Sequence, residues 1–162
     1  MASRRQHTLI DPGSRAPAFR LARLDGVETT LDELTTRGRL LLAFFKVTCP
    51  VCQLTAPFLE RLHAFGSLQV YGISQNDAAA TREFNEYFGV TYPTLLDAED
   101  DNFPASNLYG ISSVPTLFLV EPQGTIDRVI EGWNRKDMEA LGVLAGMALF
   151  RSDDNVPAWK AG

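Results

Sequence analysis

Residues 39–66 read RLLLAFFKVTCPVCQLTAPFLERLHAFG. From Leu40 to Phe45 every side chain is apolar, with Gly38 before the run and Lys46 ending it, the pattern of a short strand buried on both faces of a mainly parallel sheet. Cys49 and Cys52 follow directly. From Pro50 onward Leu54, Phe58, Leu62 and Phe65 recur at helical spacing until Gly66, which predicts a helix with one apolar stripe and a glycine end. Pro57 within it removes one backbone hydrogen bond and predicts a bend. The local order is strand, Cys-x-x-Cys, helix.

Working outward, Thr30 with Glu33 three residues on predicts a capped helix over 31–36, preceded by an Asp25-Gly26 turn. Downstream, 68–74 reads as a strand, Asp77 as the cap of a helix carrying Phe84, Tyr87 and Phe88, and 92–96 as a further strand. A short helix over 103–109 ends at Gly110, and strands over 116–120 and 125–131 form an antiparallel hairpin across Pro122-Gln123-Gly124. Asn134 caps a closing helix with Met138, Leu141, Leu144, Ala145 and Ala148 on one face. Alternating strands and helices make the fold class α/β. Residues 1–16 read as an N-terminal arm, 17–150 as one domain, and the polar stretch 151–162 as a C-terminal tail that frays.

Composition agrees with a folded globular chain. Its 162 residues make about one domain, and 45% hydrophobic against 22% charged residues lies far from disordered or collagenous classes. Fifteen basic against 20 acidic residues give a formal charge of −5, so attraction to nucleic acid or an anionic membrane surface is not expected. No apolar stretch approaches a membrane span. Arg4 and Arg5 are followed by His7, Thr8 and Asp11 where a signal peptide needs apolar residues, so a bacterial cytoplasm is the expected compartment, or the periplasm if a signal has been removed. The run Asp97–Asp101 lacks the spacing and glycine of a calcium loop and reads as a solvated turn.

Two cysteines are too few for a disulfide framework and suggest a reactive or metal-binding pair. Unpaired N–H groups and the dipole at a helix start stabilise an anion, which marks Cys49 as the nucleophile. Cys52, one turn on, is near enough to close a small disulfide and act as the resolving thiol. Zinc asks for four ligands, and His7 and His63 are the only other soft candidates; no metal site or cofactor is assigned. Lys46, ending a buried strand, reads as a side chain reaching solvent.

Ala43-Phe44-Phe45, Cys49-Pro50-Val51-Cys52 and Ala56-Pro57, with Val114-Pro115 later in the chain, together resemble a thioredoxin-fold active site. The opening Pro17-Ala18-Phe19 with Asp25-Gly26, and a surplus of one helix and one strand over 76–96, resemble the TlpA/ResA-like branch of thiol-disulfide oxidoreductases in the redoxin/alkyl hydroperoxide reductase-like superfamily. The likeness runs from about residue 16 to 149. It implies a central mixed β-sheet flanked by helices, with an N-terminal β-hairpin and a helix-strand insertion. It implies dithiol-disulfide exchange with partner proteins, as a reductant recharged by an unidentified electron donor, in a monomer. It also implies that Pro115 follows a cis bond and that Val114 and Pro115 hold a partner's backbone, with Thr48, Pro50 and Val51 shaping the loop.

The sequence departs from that pattern at several places. Thr48 stands where most relatives have tryptophan, while Ala43 and Gly72 stand where thioredoxins carry an acid and a lysine. Thr55 replaces the glutamate of the ResA type, so the group that takes the Cys52 proton is not identified. The segments 71–74 and 92–97 also resemble peroxiredoxins, but the residue three before Cys49 is Lys46 rather than their threonine. A peroxiredoxin-like peroxidase and a nonenzymatic thiolate carrier of copper or zinc are the alternatives.

Overall fold

The structure, a computed structural model, describes residues 8–162. In chain order the elements are β1 (Arg20–Arg23), β2 (Glu28–Thr30), α1 (Leu31–Thr36), β3 (Leu40–Phe45), α2 (Pro50–Phe65), β4 (Gln69–Ser74), α3 (Ala78–Phe88), β5 (Thr94–Leu96), α4 (Pro104–Tyr109), β6 (Thr116–Val120), β7 (Ile126–Glu131), β8 (Trp133–Asn134), α5 (Arg135–Ala145) and β9 (Trp159–Lys160). Seven strands form one mixed sheet in the order β2-β1-β5-β4-β3-β6-β7. β3 runs parallel to β4 and antiparallel to β6. A strand with neighbours on both edges and helices over the sheet meets no water, and all six β3 residues are buried, hence its unbroken apolar run. β1 and β2 are the expected N-terminal hairpin, while α3 and β5 are the helix-strand insertion.

Local signals place most element ends. Thr30, Asp77 and Asn134 each accept a hydrogen bond from the backbone N–H three residues on, at 3.3, 2.8 and 3.1 Å, satisfying donors that a helix start leaves free. Gly66 ends α2 in the left-handed region, and the helix runs unbroken through Pro57. Phe44, Tyr109 and Phe118 form a ring cluster with centroids 5.1–5.6 Å apart. The Tyr109 hydroxyl donates to Pro17 O at 2.8 Å.

Four expectations need correction. The buried face of α2 is Cys52, Thr55, Ala56, Phe58, Leu59 and Leu62; Phe65 is exposed and Leu54 only half-buried, because the sheet lies under the stripe that begins at Cys52. Ala148 lies beyond α5, which Gly146 terminates. Asp97 is no solvated turn. It is fully buried, and its carboxylate accepts from Ala105 N (2.8 Å), Ser106 N (2.8 Å) and Ser106 Oγ, closing the free start of α4.

The tail does not fray. Arg61 donates to both Asp154 carboxylate oxygens at 2.6 and 2.9 Å and to Leu149 O at 3.1 Å. Buried Trp133 donates from Nε1 to Pro157 O at 2.7 Å. β9 pairs with β8, Trp133 opposite Lys160 and Asn134 opposite Trp159. A polar composition suggests solvation, but backbone hydrogen bonds and one ion pair hold the segment, and Val156 packs against the core.

Candidate active site

The site forms where β3 ends and α2 begins. Cys49 is the N-cap of α2 and only partly buried; Cys52 is buried in its first turn, and both are free thiols. The Cys49 Sγ accepts from Cys52 N at 3.1 Å, the cap bond that Ser or Asp makes in other helices. The loop before it is held by groups that sequence patterns do not single out. Cys49 N donates to Lys46 O at 3.2 Å, Val47 N to Asn76 Oδ1 at 2.9 Å, and Gln53 Nε2 to Val47 O at 3.0 Å.

The Val114–Pro115 peptide bond is cis. Val114 O lies 3.4 Å from Cys49 Sγ, where the thiol donates to it. Cys49, Cys52, Val114 and Pro115 thus meet in one place although 65 residues separate Cys49 from Val114. Thr48 and Pro50 are exposed beside the sulfur and Val51 is half-buried.

Beneath Cys52 lies a small slot lined by Ala43, Phe45, Thr55, Ala56, Tyr92 and Pro115. Burial, and then the neighbouring Cys49 sulfur, push the Cys52 thiol well above its ordinary range. No acid lines the slot. Ala43 and Gly72 are register partners on β3 and β4, and a Cβ built on Gly72 would stand 3.1 Å from the rings of both Phe45 and Tyr92. The space for the thioredoxin acid-lysine pair is therefore filled by aromatic carbon. The Thr55 hydroxyl donates to Val51 O at 2.7 Å. The Tyr92 phenol is itself pushed up, chiefly by burial, and so stays protonated and offers no base.

An open cleft of about 190 Å³ lies against Val114, lined among others by Lys46, Gln75, Ser112 and Ser113. Gln75 donates to Ser106 Oγ at 2.8 Å, and so joins the buried Asp97 group to the cleft. Among the described residues Lys46 forms no ion pair, and no three His, Cys, Asp or Glu side chains gather to hold a metal. His63 stands half-buried on α2, its ring edge-on to Tyr92 at 6.3 Å; His7 lies outside the described residues. No helix among the described residues is long and apolar enough to cross a membrane.

The chain is 28% identical over 136 residues to the thiol-disulfide oxidoreductase ResA of Geobacillus thermodenitrificans, covering 82% of this chain and 76% of that protein. It is 32% identical over 143 residues to a Mycobacterium tuberculosis protein named "Putative peroxiredoxin MT2597", covering 80% and 88%. Its fold matches the thioredoxin domain of a thiol-disulfide oxidoreductase from Bacteroides vulgatus with a TM-score of 0.72 at 22% identity, covering 82% of this chain and 95% of that one. The AhpC/TSA family model matches residues 12–129, and with the cysteine pair and the Val114–Pro115 loop set on this sheet, the chain belongs to the AhpC/TSA family and has its thioredoxin-like fold.

Proposed function

We propose that this chain exchanges its Cys49–Cys52 dithiol with disulfides of partner proteins, acting as a reductant. The observation that carries this reading is the placement of Cys49 Sγ at a helix start, 3.1 Å from Cys52 N and 3.4 Å from the Val114 carbonyl. The Cys49 thiolate attacks a partner disulfide; the partner's S–S bond breaks, and one partner sulfur leaves and takes up a proton. Cys52 then gives up its proton and attacks Cys49 of the mixed disulfide. The second partner thiol is released, and the Cys49–Cys52 bond keeps the oxidation equivalent until a donor dithiol reduces it. Likeness to ResA proteins supports this reading.

Trapping tests it. Cys52→Ser should accumulate mixed disulfides through Cys49 in a cell extract, seen by non-reducing gel and mass, and Cys49→Ser should form none; absence of any adduct on Cys52→Ser rejects the reading. Titration in thiol redox buffers tests the direction. A midpoint near about −270 mV marks a reductant, whereas one near about −120 mV marks an oxidant.

A thiol peroxidase is the second reading, favoured by the likeness to the mycobacterial protein. The residue three before Cys49 is the exposed Lys46, so the threonine hydroxyl found there in peroxiredoxins is missing. Peroxide consumed in step with Cys49 oxidation, and faster than partner disulfides react, would put this reading first.

A further inference from the structure

Part of the segment that follows α5 lies against the Val114 carbonyl that faces the reactive sulfur. The chain is fastened by Arg61 at Asp154, by Trp133 at Pro157, and by the Arg135 N–H at Ala158 O (2.9 Å). Beyond Ala158 the anchoring changes. Trp159, Lys160, Ala161 and Gly162 are all exposed, Trp159 by 61%, so none of their side chains joins the core, and β9 is held by its two-residue pairing with β8. This backbone nonetheless lies close against the site. Gly132, left-handed at φ +67°, has no room for a Cβ, which would stand 2.9 Å from Gly162 N and 3.3 Å from Ala161 C. A Cβ on Gly162 would stand 2.5 Å from Val114 O and 2.9 Å from Val114 C. The carbonyl so covered is the one 3.4 Å from Cys49 Sγ.

We propose that the segment Trp159–Gly162, paired with β8 through β9 and lying with Gly162 against Val114, sets substrate specificity: small disulfides reach Cys49 past it, whereas an extended polypeptide backbone must displace it to lie along Val114. This rests on the exchange reading above and adds to it the class of partner that is disfavoured. Displacement is feasible because β9 pairs with β8 over two residues only and the side chains of this stretch are exposed. Apparent reactivity toward an extended partner falls by the fraction of molecules in which the edge is free.

The test compares two probes that lose the same leaving group. In the Cys52→Ser chain, Cys49 attacks either 2,2′-dipyridyl disulfide or a short extended peptide whose cysteine is activated as a 2-thiopyridyl disulfide. In both cases the new bond is Cys49 S–S, 2-thiopyridone leaves, and its absorbance gives the rate. Ending the chain at Ala158 should raise the peptide rate about tenfold and leave the dipyridyl rate within about twofold, tenfold being worth about 1.4 kcal/mol. An unchanged peptide rate, or an equal rise for both probes, overturns the proposal. A second measurement needs no truncation: in the full-length Cys52→Ser chain, amide exchange at Lys160, which lies opposite Trp133 in the β8–β9 pairing, should quicken once the peptide is attached to Cys49, and unchanged protection overturns the proposal. No reaction of either probe with either chain removes the exchange reading itself.

Discussion

At the scale of single residues, Cys52 presents the main chemical demand. Its thiol must lose a proton to release a partner, yet it lies in a slot of Ala43, Phe45, Thr55, Ala56 and Tyr92 with no carboxylate, and burial pushes it up. Below its titration range the thiolate fraction grows about tenfold per pH unit. Release of a partner from a preformed mixed disulfide should therefore quicken about tenfold per unit between about pH 6 and 9. Stopped-flow kinetics measures this, and a flat profile would mean that another group takes the proton. Thr55→Asp sets a carboxylate one turn from Cys52 at nearly the same volume, and should raise the release rate at neutral pH about tenfold. The cysteines were legible because their spacing is local. What surrounds Cys52 was legible only as a list of missing groups: Tyr92 and Phe45 fill the vacated space through strand register, which no local pattern reveals.

Among the elements, α4 shows how a short helix is stabilised from outside. Its six residues follow Asn102 and Phe103, both left-handed at φ 59° and 48°, and Phe103 supplies no side-chain cap. Asp97, at the end of β5, supplies the acceptor instead. Asp97→Ala should leave two buried N–H groups and the Ser106 hydroxyl without their partner and cost about 3 kcal/mol, read as a lower urea midpoint with an unchanged slope. Thr30, Asp77 and Asn134 were readable as caps because each sits three residues from the N–H it accepts. Asp97 reaches a helix eight residues away across a loop, and an acidic run in sequence looks the same whether its first carboxylate is buried or solvated.

For the molecule as a whole, the Cys52 thiol links stability to pH. Its titration lies higher in the folded chain than in the unfolded chain, so the folded state holds its proton more tightly. The resulting stability is complete below the unfolded value of about 8.5 and is lost as pH rises toward the folded one. The reduced protein should therefore lose thermal stability above about pH 9 more steeply than Cys52→Ser, which has no proton to lose there; parallel melting curves of the two against pH check this. The tail responds at the other extreme. Arg61, and the Arg151 N–H behind it, hold the Asp154 carboxyl down to about 2, so the ion pair's contribution is present above the ordinary carboxylate range and is lost as pH falls toward about 2.

The amino-acid order alone determined the strand-motif-helix unit, the α/β class, the caps of α1, α3 and α5 and the placement of Cys49 and Cys52 one turn apart at a helix start, because each depends on contacts within a few residues or on a period of two or 3.6. The tertiary structure decided which residues share the site across long separations: Val114 beside Cys49, Tyr92 and Phe45 in place of a charged pair, Asn76 and Gln53 bracing the loop, Asp97 beneath α4, and Gly162 over the Val114 carbonyl. These depend on strand register and on backbone groups meeting at a distance. A backbone carbonyl is the same in every residue, so nothing in the letters 159–162 marks them as lying against a reactive thiol.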